Sequence, residues 1–351
     1  MKKIAVVLFN LGGPDSLENV ERFLFNLFFD KNIISLPLPL RWVIAKLISK
    51  LRVKKAKEIY RLMGNKSPIL EYTRAQAEAL AHNLKVCSEY EFKIFISMRY
   101  FYPTSKEIIA ELEKLLPNEI ILLPLYPQYS TTTTYSSILE FKESFEKAKL
   151  NLPLKTLCCY PVAKDFISAH VELIKPIYHQ AQEKGKVRLL FSAHGLPQKI
   201  IEKGDPYQWQ IEQTAALVVD NLAIQNLDWR VCYQSKVGPV KWTEPYTDQE
   251  IIEASRAGFV VIIVPIAFVS DHSETLVELD IEYKKLALEN NSPGYFRVEA
   301  LATNQLFINF LTNQCIELAN YKNEKDIDIV SQNVYRLCPK QFSKCINNYN
   351  H

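Results

Sequence analysis

Two stretches of the chain decide the fold: Leu190-Phe191-Ser192-Ala193-His194-Gly195-Leu196-Pro197 and Val264-Pro265-Ile266-Ala267-Phe268-Val269-Ser270-Asp271-His272-Ser273-Glu274-Thr275-Leu276. Each begins as an apolar run of strand character and breaks into a polar turn. The first turn carries His194, the second Asp271, His272 and Glu274. In an open α/β sheet, ligands bind outside the carboxyl ends of the strands. The pattern therefore brings one imidazole and the start of an acidic helix to the same rim, a pairing suited to metal delivery combined with proton removal.

Working outward, eight apolar, β-branched runs read as strands: residues 4–9, 92–97, 119–125, 154–159, 186–192, 229–233, 258–265 and 295–300. Most are continuously apolar, as parallel strands covered on both faces should be. Helical patterns lie between them. Thr104-Ser105-Lys106-Glu107 is a capping box opening a helix over 108–116, and Thr247-Asp248-Gln249-Glu250 reads the same way before 251–256. Asp15-Ser16-Leu17-Glu18 resembles a third, and 165–183 is amphipathic although Pro176 interrupts it. Alternating strands and helices predict an α/β fold. Four strands fall on each side of a boundary near residue 160, giving two similar doubly wound lobes, 1–160 and 161–304, each with a four-stranded parallel sheet. Residues 305–351 read as a helix and tail packing back on the first lobe.

The 351 residues are 48% hydrophobic and 23% charged, an ordinary globular balance. A net charge of +3 makes no electrostatic case for nucleic acid. The seven cysteines are an odd number in a chain whose start resembles no secretory signal, so a reduced, cytoplasmic protein is expected. No apolar stretch approaches the roughly 20 residues of a membrane span. Residues 30–54 stand apart. A proline-broken apolar run, 33–40, leads into an amphipathic helix carrying Trp42, Ile44, Leu47, Ile48 and Leu51, with Arg41, Lys46, Lys50 and Arg52 among them. This reads either as a helix packed on the core or as an apolar lip over a pocket, touching a membrane from the periphery.

Polar and aromatic turns follow the strands. They place Tyr100, Tyr126, Tyr129, Trp242 and Phe268 with Arg99, Ser130 and Lys236 around one expected cleft between the lobes. That mix suits a flat aromatic ligand bearing carboxylates. No G-x-G-x-x-G, Walker, H-E-x-x-H, C-x-x-C or G-x-S-x-G pattern occurs, which argues against nicotinamide enzymes, NTPases, zinc proteases and α/β-hydrolases. Of the six histidines, His194 and His272 sit at strand ends; His82, His170, His179 and His351 read as structural or solvent-exposed. A lone loop histidine is more often a hydrogen-bonding residue than a catalyst, but His194 gains weight from its open neighbour Gly195 and from the acidic segment. Glu274, Glu278 and Glu282 recur every fourth residue with Asp271 ahead of them. Such a row usually means a solvated face. Beginning at a rim, with like charges opposing the helix, it also suits passage of a cation or of protons.

The chain resembles the ferrochelatases, which insert Fe²⁺ into a porphyrin. The motifs carrying the resemblance are Asn10-Leu11-Gly12-Gly13-Pro14, Met98-Arg99-Tyr100, Leu125-Tyr126-Pro127-Gln128-Tyr129-Ser130, Ser192-Ala193-His194-Gly195-Leu196-Pro197, Tyr233-Gln234-Ser235-Lys236-Val237-Gly238-Pro239 and Ser270-Asp271-His272-Ser273-Glu274-Thr275-Leu276. The resemblance implies two Rossmann-like lobes with porphyrin held between them. It implies that His194 and Glu274 are the metal-site and proton-transfer residues. It further implies that Leu11, Ser67, Arg99, Tyr100, Tyr126, Ser130, Lys236, Trp242 and Phe268 contact the porphyrin, and that Asp271, Glu278 and Glu282 extend a metal or proton path. Fe²⁺ is a substrate here, and no redox cofactor or nucleotide is required. A neutral imidazole is a suitable acceptor for the two pyrrole protons that must leave.

Protoporphyrin IX is the expected partner of the iron, giving protoheme. Coproporphyrin III, another metal with a hydrophilic tetrapyrrole, and a non-catalytic tetrapyrrole carrier are the alternatives. Four positions depart from the family pattern: Gly64-Asn65-Lys66-Ser67-Pro68 stands for Gly-Gly-Gly-Ser-Pro, Tyr135 for a glycine, Thr243 for an apolar residue, and Leu11 for the Met of some relatives. The tail Arg336-Leu337-Cys338-Pro339-Lys340-Gln341-Phe342-Ser343-Lys344-Cys345 resembles that of relatives binding a [2Fe–2S] cluster. Such a cluster needs four ligands; the tail offers two cysteines, so no cluster is expected.

Overall fold

The computed structural model describes residues 2–321, 329–332 and 334–347. The chain divides into two compact units. The first holds residues 2–159 with the described parts of 311–337 and 346–347; the second holds Tyr160–Phe310 and Cys338–Cys345.

The first unit runs β1 (Lys3–Asn10), α1 (Val20–Phe28), α2 (Leu38–Arg61), α3 (Ile69–Cys87), β2 (Glu91–Met98), α4 (Ser105–Leu115), β3 (Glu119–Pro124), α5 (Thr134–Lys147) and β4 (Leu154–Leu157). The second runs α6 (Lys164–Gln182), β5 (Val187–His194), α7 (Gln198–Glu202), α8 (Tyr207–Leu222), β6 (Asp228–Gln234), α9 (Thr247–Arg256), β7 (Val260–Pro265), a π-helix (Glu274–Tyr283), α10 (Lys284–Glu289) and β8 (Tyr295–Arg297). Helix α11 (Gln305–Asn320) and strand β9 (Ile329–Val330) follow.

Both sheets are parallel throughout, ordered β2-β1-β3-β4-β9 and β6-β5-β7-β8. Disregarding β9, the two orders are the same doubly wound arrangement, with the direction of travel reversing at β1 and at β5. That reversal opens the crevice where such folds take ligands. Strands β3 and β7 are buried at every position and β1 at all but its first, hence their unbroken apolar character. Helices α4 and α5 cover the first sheet through Ile108, Ile109, Leu112, Ile138 and Phe141 against Ala5, Val7 and Phe9. In the second unit Ile251 and Ala254 of α9, Leu279 and Tyr283 of the π-helix and Ala287 of α10 cover Leu190, Val261 and Ile263.

All eight expected strands form, several of them shorter or longer at their ends. The first sheet has five strands rather than four, because β9 pairs with β4. Two residues in a tail are too short to show a period. The capping box at Thr104 and Glu107 is present. The second is not: Thr247 is already helical, Tyr246 holds the N-cap position, and the Thr247 hydroxyl bonds Ser192 Oγ at 3.0 Å instead. The third fails as well, since α1 begins only at Val20. The segment expected as an ordinary acidic helix after residue 273 is a π-helix. Helix α6 runs unbroken through Pro176. Its His170 is fully buried and pushed down to about 3 by that burial, which fits a neutral core residue.

Three of the departures have local causes. Asn65 takes φ +70° beside Gly64 at φ +80°, a left-handed turn that asparagine tolerates better than most residues. Thr243, fully buried, accepts the Leu196 N–H at 3.1 Å through its hydroxyl. Tyr135 packs against Tyr129, Cys158 and Cys159. Cys338 and Cys345 are both buried, with the Gln210 amide donating to Cys338 Sγ at 3.1 Å.

Candidate active site

The site in the second unit is built by strand register. His194 is the last residue of β5 and pairs with Gln234, the last of β6. Its imidazole therefore leaves the sheet at its carboxyl edge. Gly195 then leaves little room for a side chain: a Cβ there would lie 3.1 Å from the Gln234 carbonyl oxygen and 3.4 Å from the Trp242 ring. The tight turn holds Trp242 edge-on to the imidazole, ring centroids 6.3 Å apart. The β7 end leads through Phe268 to His272, whose rings meet at 4.6 Å, and on to Glu274 at the head of the π-helix.

His194 Nδ1 and Glu274 Oε2 lie 2.9 Å apart. The His272 Nε2 lies 3.8 Å from the same oxygen. Burial alone would raise the Glu274 carboxyl, but the two imidazoles, His194 first, overcome it and hold the acid well below the usual carboxylate range. Glu274 is thus a fixed anion that orients an imidazole and stabilises its protonated form.

Glu278 behaves oppositely. It accepts from Gln234 Nε2 at 3.0 Å, from the Ser235 backbone N–H at 3.0 Å and from the Tyr283 hydroxyl at 2.9 Å, with the Ser235 hydroxyl as a fourth donor. Even so, burial first and then the neighbouring Glu274 charge push its carboxyl up. Two carboxylates on one helix are driven apart, one kept ionised and one inclined to hold a proton, the division of labour that acid–base chemistry needs. Gln234 joins them, donating both to the Glu274 carbonyl at 3.1 Å and to Glu278, while its own oxygen accepts from Ser192 at 2.8 Å. A cavity of about 220 Å³, lined by Tyr233, Gln234, Ser235, Lys236, Asp248, Glu278 and Tyr283, borders this network.

The rest of the acidic segment is less alike than its spacing suggests. Asp271 is buried in an ion pair with Arg297 at 2.9 Å, and Arg297 also binds Asp280 at 2.7 Å. Glu282 is exposed. Lys236 lies 3.5 Å from Asp248 and over the Tyr246 ring at 3.9 Å.

In the first unit, the loop after β1 and the loop after β2 run together. The Arg99 N–H donates to the Asn10 carbonyl at 2.9 Å and the Tyr100 N–H to the Leu11 carbonyl at 3.0 Å. Arg99 lies over the Tyr100 ring at 4.9 Å and pairs with Asp30 at 3.0 Å. Tyr100 is buried and donates to Asp30 at 2.8 Å; burial first and then that carboxylate raise its phenol. Tyr126 and Ser137 hydroxyls lie 3.4 Å apart, and burial likewise raises the Tyr126 phenol. Ser130 is buried within its own turn, 2.9 Å from the Thr132 hydroxyl. Ser67 is buried against Gly13, and its N–H donates to the Pro14 carbonyl at 2.8 Å. Leu11 packs with the α1 cluster of Val20, Phe23 and Leu24.

Sequence reasoning passed over Asp30, Ser136, Tyr283 and Arg297, and gave Gln234, quoted within a motif, no role of its own. Tyr283 lies five positions after Glu278, the wrong face of an α-helix but the hydrogen-bonding period of a π-helix. Asp30 sits alone at the edge of an apolar segment, and only the structure brings Arg99 to it.

A two-unit, doubly wound parallel fold with titratable groups at the switch-point rim is a chelatase-type architecture. The solved structure of SirB from Bacillus subtilis with Fe³⁺ superposes with a TM-score of 0.55 at 13% identity, over 91% of this chain and 96% of that one. The sirohydrochlorin chelatase SirB from B. subtilis subspecies spizizenii in complex with cobalt gives 0.53 at 12%, over 91% and 96%. At sequence level the ferrochelatase family model matches residues 3–318. The ferrochelatase of Rickettsia bellii (strain OSU 85-389) is 54% identical over 345 residues, 98% of this chain and 95% of that relative. The ferrochelatase of Pelagibacter ubique is 49% identical over 350 residues, 98% of each. The chain belongs to the ferrochelatase family.

Proposed function

We propose that this protein inserts Fe²⁺ into protoporphyrin IX at His194 and Glu274, releasing two protons and yielding protoheme, the last step of heme synthesis. The observation that carries the assignment is the 2.9 Å contact between an imidazole at a strand end and a carboxylate kept ionised beside it, in a chain of this family. The imidazole accepts a pyrrole proton, and Glu274 stabilises the imidazolium that forms. Both side chains are also suitable ligands for Fe²⁺ as it transfers. Glu278, whose carboxyl is raised, receives protons onward. Arg99, Lys236 and the Tyr126 hydroxyl serve the porphyrin periphery together with Leu11, Trp242 and Phe268, while the buried Ser67, Tyr100 and Ser130 hold the loops behind them. Asp271 and Glu282 flank the acidic path, Asp271 through its Arg297 pair. The reaction calls for no redox cofactor.

Protoporphyrin, the more apolar of the two porphyrins considered, is favoured by helix α2. Leu38, Leu40, Trp42, Val43, Leu47 and Leu51 each leave half or more of their surface exposed there, among basic side chains. Among the described residues no helix is long and apolar enough to cross a membrane. Leu40, Val43, Leu47 and Leu51, which share one face of α2, support peripheral contact with a lipid surface, the phase in which an apolar porphyrin dissolves.

The test is anaerobic Fe²⁺ insertion followed by loss of porphyrin fluorescence, with protoporphyrin IX and coproporphyrin III in parallel. Turnover of protoporphyrin, abolished in His194→Ala while porphyrin still binds, is the expected result. Turnover of coproporphyrin alone moves the protein to the other substrate. Binding without turnover of either rejects the enzyme assignment.

A further inference from the structure

The first unit buries a carboxylate beneath Arg99 and Tyr100 that takes no part in the proposed reaction. That carboxylate is Asp30, two residues beyond the end of α1, whose side chain is 1% exposed. One carboxylate oxygen accepts from the Tyr100 hydroxyl at 2.8 Å and from the Ser136 hydroxyl, and forms an ion pair with Arg99 Nη2 at 3.0 Å. The other receives the Asn32 backbone N–H at 2.8 Å and the Asn32 side-chain amide at 3.1 Å. The Asp30 carbonyl accepts from Ile33 and Ile34. Four hydrogen bonds and one ion pair from three parts of the chain therefore converge on one buried anion: the β2 end, helix α5 and the connection leading into the exposed apolar helix α2.

Arg99 is clamped from a second side, its Nε donating to Ser136 Oγ at 2.7 Å. With Nε and Nη2 committed and the ring of Tyr100 against its face, the guanidinium has one nitrogen, Nη1, that makes no hydrogen bond among the described residues. The side chain is 17% exposed. A guanidinium binds a carboxylate best when its planar fork is already oriented, because the rotamer entropy has been spent before the ligand arrives.

We propose that Asp30 is a positioning residue for porphyrin binding: it locks Arg99 so that the free end of the guanidinium is presented to a porphyrin carboxylate, and it ties that anchor to the start of the apolar helix. The inference rests on Arg99 being a porphyrin-carboxylate anchor. In this arrangement Asp30 touches no substrate. It acts on affinity rather than on the insertion step, and a ligand lacking carboxylates is blind to it.

The experiment measures porphyrin dissociation constants and steady-state constants for Asp30→Asn, Ser136→Ala, Arg99→Ala and the double variant Asp30→Asn/Arg99→Ala, each with a free-acid porphyrin and with the same porphyrin as its methyl ester. Asp30→Asn is isosteric and keeps an acceptor; Ser136→Ala loosens the clamp on Arg99 while leaving the ion pair intact. The expected result is an increase of about tenfold in KM and Kd for the free acid in Asp30→Asn, with a smaller increase in Ser136→Ala, kcat within about twofold, and no change for the ester. Adding Arg99→Ala to Asp30→Asn then costs little more, since one interaction is being removed twice. Should Arg99→Ala weaken free acid and ester alike, the anchor reading itself fails. Should Arg99→Ala show the carboxylate-dependent loss while Asp30→Asn and Ser136→Ala bind the free acid normally, the positioning role is overturned and Asp30 is a fold residue alone. Full additivity of the double variant also overturns it.

Discussion

Replacing Glu274 with glutamine is the sharpest probe of the site. The substitution preserves shape and leaves an oxygen able to face His194 Nδ1, but removes the charge. What is lost is the difference between a charge-assisted and a neutral hydrogen bond at a separation of 2.9 Å. Hydrogen bonds to charged groups contribute about 1.5–3 kcal/mol and neutral ones about 1 kcal/mol, so the difference is about 0.5–2 kcal/mol. The His194 side chain is 35% exposed, and solvent screening argues for the lower part of that range in the resting protein. When the imidazole takes up a proton the interaction becomes one between full charges, so the cost is larger in the transition state than in the ground state. The upper part of the range, or somewhat more, then applies to kcat, a loss of about 10- to 100-fold. The assay is anaerobic insertion at saturating Fe²⁺ with porphyrin varied. The expected outcome is that fall in kcat with porphyrin KM within about threefold. The double variant His194→Ala/Glu274→Gln should be no slower than the worse single variant, because the two groups act as one unit. A Glu274→Gln protein with unaltered kcat, or one losing porphyrin affinity as steeply as rate, would falsify the argument.

Other consequences are as direct. Glu278 is raised above its unfolded value, so the folded chain holds that proton more tightly and loses stability as pH climbs from the ordinary glutamate range through the raised one. Relative to wild type, Glu278→Gln should therefore gain thermal stability with rising pH across that window; a difference that ignores pH would contradict the assignment. Gly13→Ala places a Cβ 2.4 Å from Ser67 Oγ and 2.5 Å from its Cβ, and should cost about 1–3 kcal/mol in denaturant titrations. Wild-type stability in that variant would mean the loop after β1 is not held against Ser67. Leu47→Ser/Leu51→Ser removes two side chains that are 56% and 73% exposed. Sedimentation with anionic phospholipid vesicles should fall by at least about tenfold while the melting temperature holds, since neither residue is buried. Unchanged vesicle binding would remove the lipid contact.

The sheets were legible because buried parallel strands write themselves as unbroken apolar runs, and residues 4–9, 119–125 and 258–265 have no other comfortable reading. The strand-end turns were legible for the same reason, since polar residues abutting such runs must lie at a rim. What stayed hidden was set by geometry without a local signature. Strand β9 is two residues long and owes its existence to β4. Thr247 spends its hydroxyl on Ser192 rather than on a cap, a choice visible only once β5 stands beside α9. The spacing of Glu274, Glu278 and Glu282 suggested three equivalent acids, yet Glu274 meets two imidazoles, Glu278 four donors, and Glu282 is exposed. The π-helix separates these fates, and nothing in its residues announces a period other than 3.6. Gln234 and Tyr295, which donate to its Glu274 and Leu279 carbonyls, come from other elements.

His194 ends a strand whose neighbours Gln234 and Pro265 end theirs, with Ser192 facing Pro265 and His194 facing Gln234 across the ladders. Side chains alternate along a strand, so the face on which the imidazole emerges depends on whether an even or an odd number of residues separates it from the last fixed pairing. Deleting one residue within β5 would not move the histidine by a few ångströms; it would turn it to the other side of the sheet, away from Glu274. Two deletions would restore the face and merely shorten the reach. Length changes in the turn after Gly195 carry no such penalty, because the ladder has already ended. Tolerance to insertion and deletion around this site should therefore alternate with parity upstream of His194 and vary smoothly downstream of it.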